Sequence, residues 1–579
     1  MSNSGPGCGE ENSVTDTPMG RSAFSGSRTT VWRGARAGMR TFLQEDEAKV
    51  QGGVVEARRT RGILAVEADG WVPDRSGTPH RASSLQLQRA ADGCPPARDR
   101  GHPRPTCEAF MRIAGHRFDV LSLREADRLH DAALRILGEM GMEIQERALL
   151  DELAAAGLPV NFDEHRVRFP RSSVERALGE AETFDWDSAA PHLRASAGIY
   201  HSLYHDPETG RLVPWTEKRL ADYIAVARAM PNVGGAHLLG CRLEVSPELE
   251  PLYERLYAWK WGATEGGSIH RTELCPYLLE IYRAHADRVQ RPLREIFRAA
   301  VYLAPMMKLG RHEAAQVAFF RRHGLKVDIG GGMGAMGANL PVTHAGAVAL
   351  HLAEQLALNL LDRALNGNRR LHLGGSLSVL DLKTGIRPFG RPEMAIANLM
   401  LIQMARRYRA SYGGHGGLSD AKLPSTEAGA QKALTAIPTL LAGGNVWIDA
   451  GLLSIDEVCS PIQLCLDDEF LGALSRFVHE FEVADETLGI DAILAAGPGG
   501  NYLDAEHTVK FFRDEHWQPG IWSRQMLRPW MAGGGKLDAD RAREMALERI
   551  RSVPRPAPLA EELERDIERI VGSARRALA

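Results

Sequence analysis

Residues 410–451 carry the most informative local pattern in the chain: Ala410-Ser-Tyr-Gly-Gly-His-Gly-Gly417, a long periodic segment, and then Val446-Trp-Ile-Asp-Ala-Gly451. The apolar spacing within Ala428–Leu441 predicts a helix, and the short runs Ala410–Gly413 and Val446–Asp449 on either side of it predict strands. A strand, a helix and a second strand in succession are typical of a parallel sheet. The sequence therefore predicts an α/β fold.

The alternation of strand and helix continues toward both ends of the chain. Further helices are predicted over His344–Leu365, Glu393–Arg407 and Asp468–Phe481. Eight strands are predicted in all: Ile199–Leu203, Ala236–Val245, Gly267–His270, Arg298–Ala304, Lys326–Ile329, Leu371–Gly374, Ala410–Gly413 and Val446–Asp449. Eight strand–helix units predict a (β/α)8 barrel of the TIM type, although Arg298–Ala304 can equally be the end of the preceding helix.

Residues 1–110 differ in composition from the rest of the chain. They contain 14 Arg and a single Lys, Lys49, and show no sustained helical or strand period. We predict a disordered N-terminal extension. An alternative hypothesis is that this stretch is spurious leader sequence and that the protein starts at Met111. Native N-terminal sequencing that gives Ser2 would contradict that alternative.

Three further regions are predicted after this extension. Helical spacing begins near Val120, with Ser122 as a candidate N-cap, so residues 111–190 are expected to form helices that pack on the barrel. The barrel itself is expected in residues 191–530. Residues 531–579 are expected to form a helical tail.

Charge and cysteine content exclude several classes of protein. The chain has 70 basic and 74 acidic residues, so no overall positive field would draw it to nucleic acid or to an anionic membrane. No apolar run approaches the length of a membrane span, and the N-terminus lacks the regions of a signal peptide. The 7 cysteines form no C-x-x-C pair and no zinc-finger cluster. We therefore predict a cytoplasmic protein without a structural metal.

Glycines follow each of the last four predicted strands. Because the loops after barrel strands share one face, these glycines are expected to lie together. Glycine lets a wide, flat ligand approach the backbone, although tight turns alone also require it. The glycines predicted to face such a ligand are Gly332, Gly334, Gly337, Gly374, Gly375, Gly414 and Gly416.

Residues Gly332–Gly337 also match the pattern G-x-G-x-x-G, which suggests a nucleotide. A dinucleotide site needs a helix that opens within the motif, whereas Pro341 delays the next helix to about Thr343. The expected acidic residue at the end of a second strand is also missing. A nicotinamide oxidoreductase is therefore a minor alternative, which NAD binding would reveal.

Several sequence blocks, taken together and in order, resemble those of one family. The blocks are Met336-Gly-Ala-Asn-Leu-Pro-Val-Thr-His-Ala-Gly346, Leu380-Asp-Leu-Lys-Thr-Gly385, Gly417-Leu-Ser-Asp-Ala-Lys422, Lys432-Ala-Leu-Thr435, Leu466-Asp-Asp-Glu469 and Gly497-Pro-Gly-Gly500. They lie between about Phe118 and Trp530, and in that range the chain resembles the trimethylamine methyltransferase superfamily.

This resemblance implies an α/β barrel that moves a methyl group from a methylated amine to the cobalt of a separate corrinoid protein. The cobalamin would belong to the partner, so no cofactor is expected to be bound permanently. The founding branch carries pyrrolysine, placed approximately near Gly413–Lys422, and this chain has none. It therefore resembles the branch that demethylates quaternary amines such as glycine betaine, with trimethylamine as the alternative substrate. Self-association is left open.

A quaternary ammonium group calls for aromatic faces and a suitable charge. Candidates at the strand ends are Tyr412, Trp447 and Tyr302 for the cation, with Asp449 as a carboxylate and His415 as a ligand for a substrate carboxylate. Core packing is the alternative role of each aromatic, and solvent exposure that of His415. No residue is assigned a catalytic role. A barrel that binds betaine-like cations without methyl transfer is a second hypothesis.

Overall fold

The computed structural model describes residues 71–73, 79–81, 118–186, 193–240, 245–303, 306–478, 481–557 and 559–578. The chain divides into two units, residues 1–104 and 105–579. In the first unit, Trp71–Pro73 and Pro79–Arg81 pair as antiparallel strands, which are too short to give a recognisable sequence period. The rest of the predicted extension and the proposed start at Met111 lie outside the described residues.

Parallel strands form the centre of the second unit. We number eight of them: β1 Leu193–Ile199, β2 Ala236–Leu238, β3 Thr264–Glu265, β4 Ala300–Tyr302, β5 Asp328–Gly330, β6 His372–Gly375, β7 Ser411–His415 and β8 Asn445–Ala450. Six of these strands form one parallel sheet in the order β3-β2-β1-β8-β7-β6, and β4 pairs with β5, also in parallel. The six-stranded sheet curls into half a barrel, so the predicted α/β fold with a parallel sheet is confirmed.

Helices alternate with these strands. The longest, His344–Asn366, starts where the Thr343 hydroxyl accepts a hydrogen bond from the backbone N–H of Gly346, and it ends at Gly367 in the left-handed conformation. It packs on β6 and on the helix Leu123–Glu139, whose predicted cap Ser122 is confirmed. The other helices of at least nine residues are Arg147–Ala155, Arg171–Gly179, Glu217–Ala229, Glu250–Trp261, Cys275–Val289, Arg311–Arg322, Pro392–Arg407, Thr426–Leu441, Pro461–Phe477, Glu506–Glu515, Asp538–Ser552 and Glu561–Leu578.

Short helices and small sheets complete this unit. The short helices are Leu293–Ile296, Asp485–Leu488, Ile490–Ala496 and Leu527–Ala532, with 3-10 turns at Pro247–Leu249 and Thr272–Leu274. One small sheet has four strands, in the order Lys308–Leu309, Met142–Ile144, Arg166–Val167 and Val160–Asn161. A second has four strands, in the order Leu452–Leu453, Val458–Cys459, Leu203–His205 and Leu212–Val213. A third pairs Gly334–Met336 with Leu377–Val379. Within the ranges given above, no helix combines the length and the apolar composition that crossing a membrane requires.

The predicted strands agree with the structure best in the second half of the chain. The last four lie within two residues of β5 to β8, whereas two early predictions are wrong. Strand β1 ends at Ile199, where the prediction begins, because its small residues Ala195, Ala197 and Gly198 give no apolar run. Strand β3 has two residues and precedes the predicted Gly267–His270. Positions 241–244 and 304 of the second and fourth predictions lie outside the described residues.

Candidate functional site

A cavity of about 890 Å³ lies inside the curve of the sheet. Residues from all eight strands, or from the loops that directly follow them, line it. Among them are Tyr200, His237, Glu265, Tyr302, Gly330, His372, His415 and Trp447. Cavities of this size commonly hold small molecules, so this is the candidate site.

Asp449 of β8 organises one wall of the cavity. Its side chain is 2% exposed, and its carboxylate accepts hydrogen bonds from Trp447 Nε1 and from the Tyr200 hydroxyl, each at 3.2 Å. A Cβ atom at Gly198 would lie 2.9 Å from Asp449 Oδ1, so the glycine leaves room for the carboxylate. Both hydrogen bonds tie an aromatic ring to the buried charge and fix the rings at the cavity wall.

The rings in front of Asp449 meet edge to face. His237 and Trp447 have centroids 5.4 Å apart at 67°, and Tyr200 and His237 have centroids 6.2 Å apart at 82°. Tyr302, 55% exposed, lines the same cavity from β4. Aromatic faces attract cations through their quadrupoles, and a carboxylate behind the rings adds to that attraction. This wall is therefore suited to an organic cation.

Burial controls the protonation of the groups around Asp449. It lowers the pKa of His237 and of His415, while the charge of Asp449 partly opposes both shifts. Burial also raises the pKa of Tyr200 far above its ordinary value, and Asp449 adds to that shift. Near neutral pH the histidines are therefore neutral, and the wall keeps the negative charge of the carboxylate.

Neutral polar groups form the wall of the cavity at β6. His351 Nε2 donates to the carbonyl of Gly374 at 2.8 Å, and Gln355 Oε1 accepts from the N–H of the same residue at 3.0 Å. Burial lowers the pKa of His351 to about 4, so this imidazole is neutral. Together these side chains fix β6 where Gly374 faces the cavity.

Buried ionic groups hold the loops at the strand ends. Lys432 Nζ lies 2.9 Å from Asp467 Oδ2 and donates to the carbonyl of Gly417 at 3.1 Å. The same Asp467 oxygen accepts from the N–H of Gly451 at 2.7 Å. One buried pair therefore connects the loops that follow β7 and β8. Glu354 similarly accepts from the N–H of Gly332, at 2.6 Å.

Three of the predicted ligands, Trp447, His415 and Tyr302, line the cavity, and Asp449 lies directly behind the lining. Tyr412 does not line it. Because side chains alternate along a strand, Tyr412 points to the opposite face of β7 from His415, where it is 1% exposed in the apolar core.

The predicted glycines fall into two groups. Gly332, Gly374 and Gly375 line the cavity, whereas Gly334, Gly337, Gly414 and Gly416 do not. The second group has local reasons for lacking a side chain. A Cβ atom at Gly414 would lie 2.2 Å from the Tyr412 hydroxyl, and Gly337 has a φ of +91°. For these positions, packing and turn geometry explain the glycine. Packing also constrains Gly332 and Gly375, where a Cβ atom would lie 2.9 Å from the Leu303 carbonyl oxygen and 2.8 Å from the Tyr412 hydroxyl.

The sequence interpretation missed Tyr200 and His237. Tyr200 directly follows β1, which the prediction placed too far along the chain, and His237 lies in the middle of the three-residue β2. Alternation along β1 was the signal in the sequence for Tyr200, because Ser196, Gly198 and Tyr200 share one face of that strand. His237 is in register with Gly198, and this pairing is visible only in the structure. Across the described part of the chain, no cluster of three His, Cys, Asp or Glu residues has the spacing of a metal site.

The comparisons with known proteins agree with one another. The family model described as trimethylamine methyltransferase (MTTB) matches residues 96–202 and 310–577. The trimethylamine methyltransferase MttB of Desulfitobacterium hafniense is 24% identical over 479 residues, which cover 79% of this chain and 95% of that protein. MttB1 of Methanosarcina acetivorans is 28% identical, covering 81% and 97%. A glycine betaine methyltransferase from another Desulfitobacterium hafniense strain is 24% identical, covering 72% and 88%.

Proposed function

Because the chain belongs to the trimethylamine methyltransferase family, we propose that it transfers a methyl group from a quaternary amine to the cobalt of a separate corrinoid protein. The carboxylate of Asp449 behind the rings of Tyr200 and Trp447 is the observation that supports a cationic substrate. Relatives named for trimethylamine and for glycine betaine support methylated amines as the class of substrate.

The chemistry of a quaternary amine matches the groups in the cavity. Loss of a methyl group leaves a neutral tertiary amine, which needs no proton to depart, so no acid is required beside the nitrogen. The reduced corrinoid of the partner supplies the nucleophile. The protein binds the ammonium group, orients the methyl group and excludes water. The neutral histidines of the two walls are consistent with this role.

The proposal includes a closed (β/α)8 barrel that gives the corrinoid access to the cavity. The N–H of Ala300 in β4 donates to the carbonyl of Gly267, just beyond β3, at 2.9 Å, which supports closure on that side. Gly374 supports the access of a corrinoid to the cavity. A Cβ atom at this position would have its nearest neighbour at 3.5 Å, so packing within the protein does not require a glycine there. Gly332, Gly374 and Gly375 are the glycines we propose to face the corrin ring.

The test is to mix the purified protein with Co(I) cobalamin and a panel of amines, and to follow methylcobalamin by absorbance. The panel contains glycine betaine, proline betaine, carnitine, choline and trimethylamine. We expect methylation from at least one quaternary amine. Transfer from trimethylamine alone would contradict the proposed substrate class. Tight binding of a betaine with no transfer from any amine would instead indicate a cation-binding protein.

A further inference from the structure

Ser196 contacts Nδ1 of His237, at the cavity wall. The Ser196 hydroxyl donates to the carbonyl of Gly235 at 3.2 Å, and its oxygen lies 2.9 Å from His237 Nδ1. A hydroxyl has one hydrogen, and the Gly235 carbonyl also accepts from the backbone N–H of Ala197 at 2.9 Å, so the Ser196 hydroxyl has two acceptors within reach, this carbonyl and a neutral Nδ1. In the imidazolium form both ring nitrogens carry a hydrogen, and the Ser196 oxygen then accepts from Nδ1.

The other ring nitrogen of His237, Nε2, lies 3.5 Å from Asp449 Oδ1 at the wall of the cavity. When the ring becomes an imidazolium, its positive charge compensates the carboxylate over this short distance, and a cation in the cavity would compensate the same carboxylate. Trp447 and Tyr200 already donate to Asp449, and both contacts leave its charge in place.

We propose that a proton on His237 and the ammonium group of the substrate compete for the negative charge of Asp449. His237 is thus a positioning residue that sets which ligand charge the site accepts. When His237 is protonated, its imidazolium neutralises the carboxylate and repels the ammonium group. When it is neutral, the carboxylate is available to the ligand. This inference rests on the proposed function, because it takes an ammonium group as the ligand.

The groups that face His237 determine when it titrates. Burial disfavours the imidazolium, and so does the neighbouring His415 of β7, so both lower the pKa of His237. The charge of Asp449 of β8 favours the imidazolium and opposes part of this shift. Tyr200 after β1 and Glu265 of β3 also line this part of the cavity. The neutral, cation-accepting state therefore dominates near neutral pH, and acid converts it to the state that excludes cations.

The test is calorimetric titration of the full chain with tetramethylammonium, which carries the charge without a carboxylate, between about pH 5 and pH 8. For the wild type we expect affinity to fall by about tenfold per pH unit on the acid side of the His237 titration and to level off above it. His237→Asn keeps an amide donor for Ser196 but cannot be protonated, so its affinity should not follow this titration.

Ser196→Ala removes the polar partner of Nδ1 and keeps the ring. The imidazolium then lacks an acceptor for Nδ1–H, so we expect the loss of affinity to move to lower pH than in the wild type. His312→Gln, on the exposed face of the helix Arg311–Arg322, is the matched histidine control and should follow the wild type.

The outcomes separate this inference from the proposed function. Affinity that is independent of pH in the wild type, or the same pH dependence in His237→Asn, would overturn the competition even if the enzyme methylates cobalamin. If neither tetramethylammonium nor glycine betaine binds at the alkaline plateau, and no amine donates a methyl group, the proposed function fails, and this inference with it.

Discussion

At the scale of single residues, substitutions of Trp447 and Tyr412 test whether the cavity wall binds the substrate. The two aromatics lie on neighbouring strands, but only Trp447 faces the cavity and donates to Asp449. We expect Trp447→Leu to remove one aromatic face, at about 0.5 to 2 kcal/mol, and so to raise the KM for a quaternary amine by about 2- to 30-fold. Steady-state kinetics with cobalamin in excess measures this change.

Tyr412→Phe is the matched control for that variant. The Tyr412 hydroxyl is buried and has no hydrogen-bond partner among the residues that the structure describes. Its removal should leave KM unchanged, and the free energy of unfolding should stay the same or rise by about 1 kcal/mol. An equal rise of KM in both variants would show that the cavity wall has no special role in binding.

At the scale of structural elements, the pair of Lys432 and Asp467 connects the loops after β7 and β8. Both side chains are 2% exposed, so loss of one partner leaves a buried charge without compensation. We expect Lys432→Met to lower the free energy of unfolding by about 3 to 5 kcal/mol. Denaturant titration measures the loss.

The double variant Lys432→Met with Asp467→Asn should recover part of this stability. Asparagine removes the unpaired charge, and its side-chain oxygen can still accept from the N–H of Gly451. A double variant no more stable than Lys432→Met alone would show that the loss comes from packing rather than from the buried carboxylate.

The sequence predicted elements well where periodicity was strong. The helix at residues 344–366 and the strands β6 to β8 have long or regular apolar patterns, and His415, Trp447 and Asp449 followed from them. Strands β1 and β3 were misplaced, because small residues in β1 and the two-residue length of β3 give little pattern. Tyr200 was lost with β1. Tyr412 shows the remaining limit, since the face of a strand that lines a cavity depends on its neighbours in the sheet.

At the scale of the whole molecule, the two parallel sheets should differ in local stability. Strand β8 is hydrogen-bonded on both sides, to β7 and β1, whereas β4 pairs with β5 and reaches the larger sheet through the Ala300 N–H. Fewer backbone hydrogen bonds favour local opening. In hydrogen exchange followed by mass spectrometry, we expect peptides of β4 and β5 to exchange faster than peptides of β8.

Substrate binding should reduce this difference, because the cavity lies between the strands of both sheets. Tyr302 at the end of β4 and Gly330 of β5 line it together with Trp447 of β8, so a bound amine would contact both sheets. A ligand that binds only when β4 and β5 are hydrogen-bonded in place stabilises that state by mass action. Saturating glycine betaine should therefore slow exchange most in β4 and β5. The helix Leu123–Glu139, which does not line the cavity, should be unaffected. Protection confined to that helix, or equal exchange in both sheets without ligand, would mean that the cavity does not couple the two sheets.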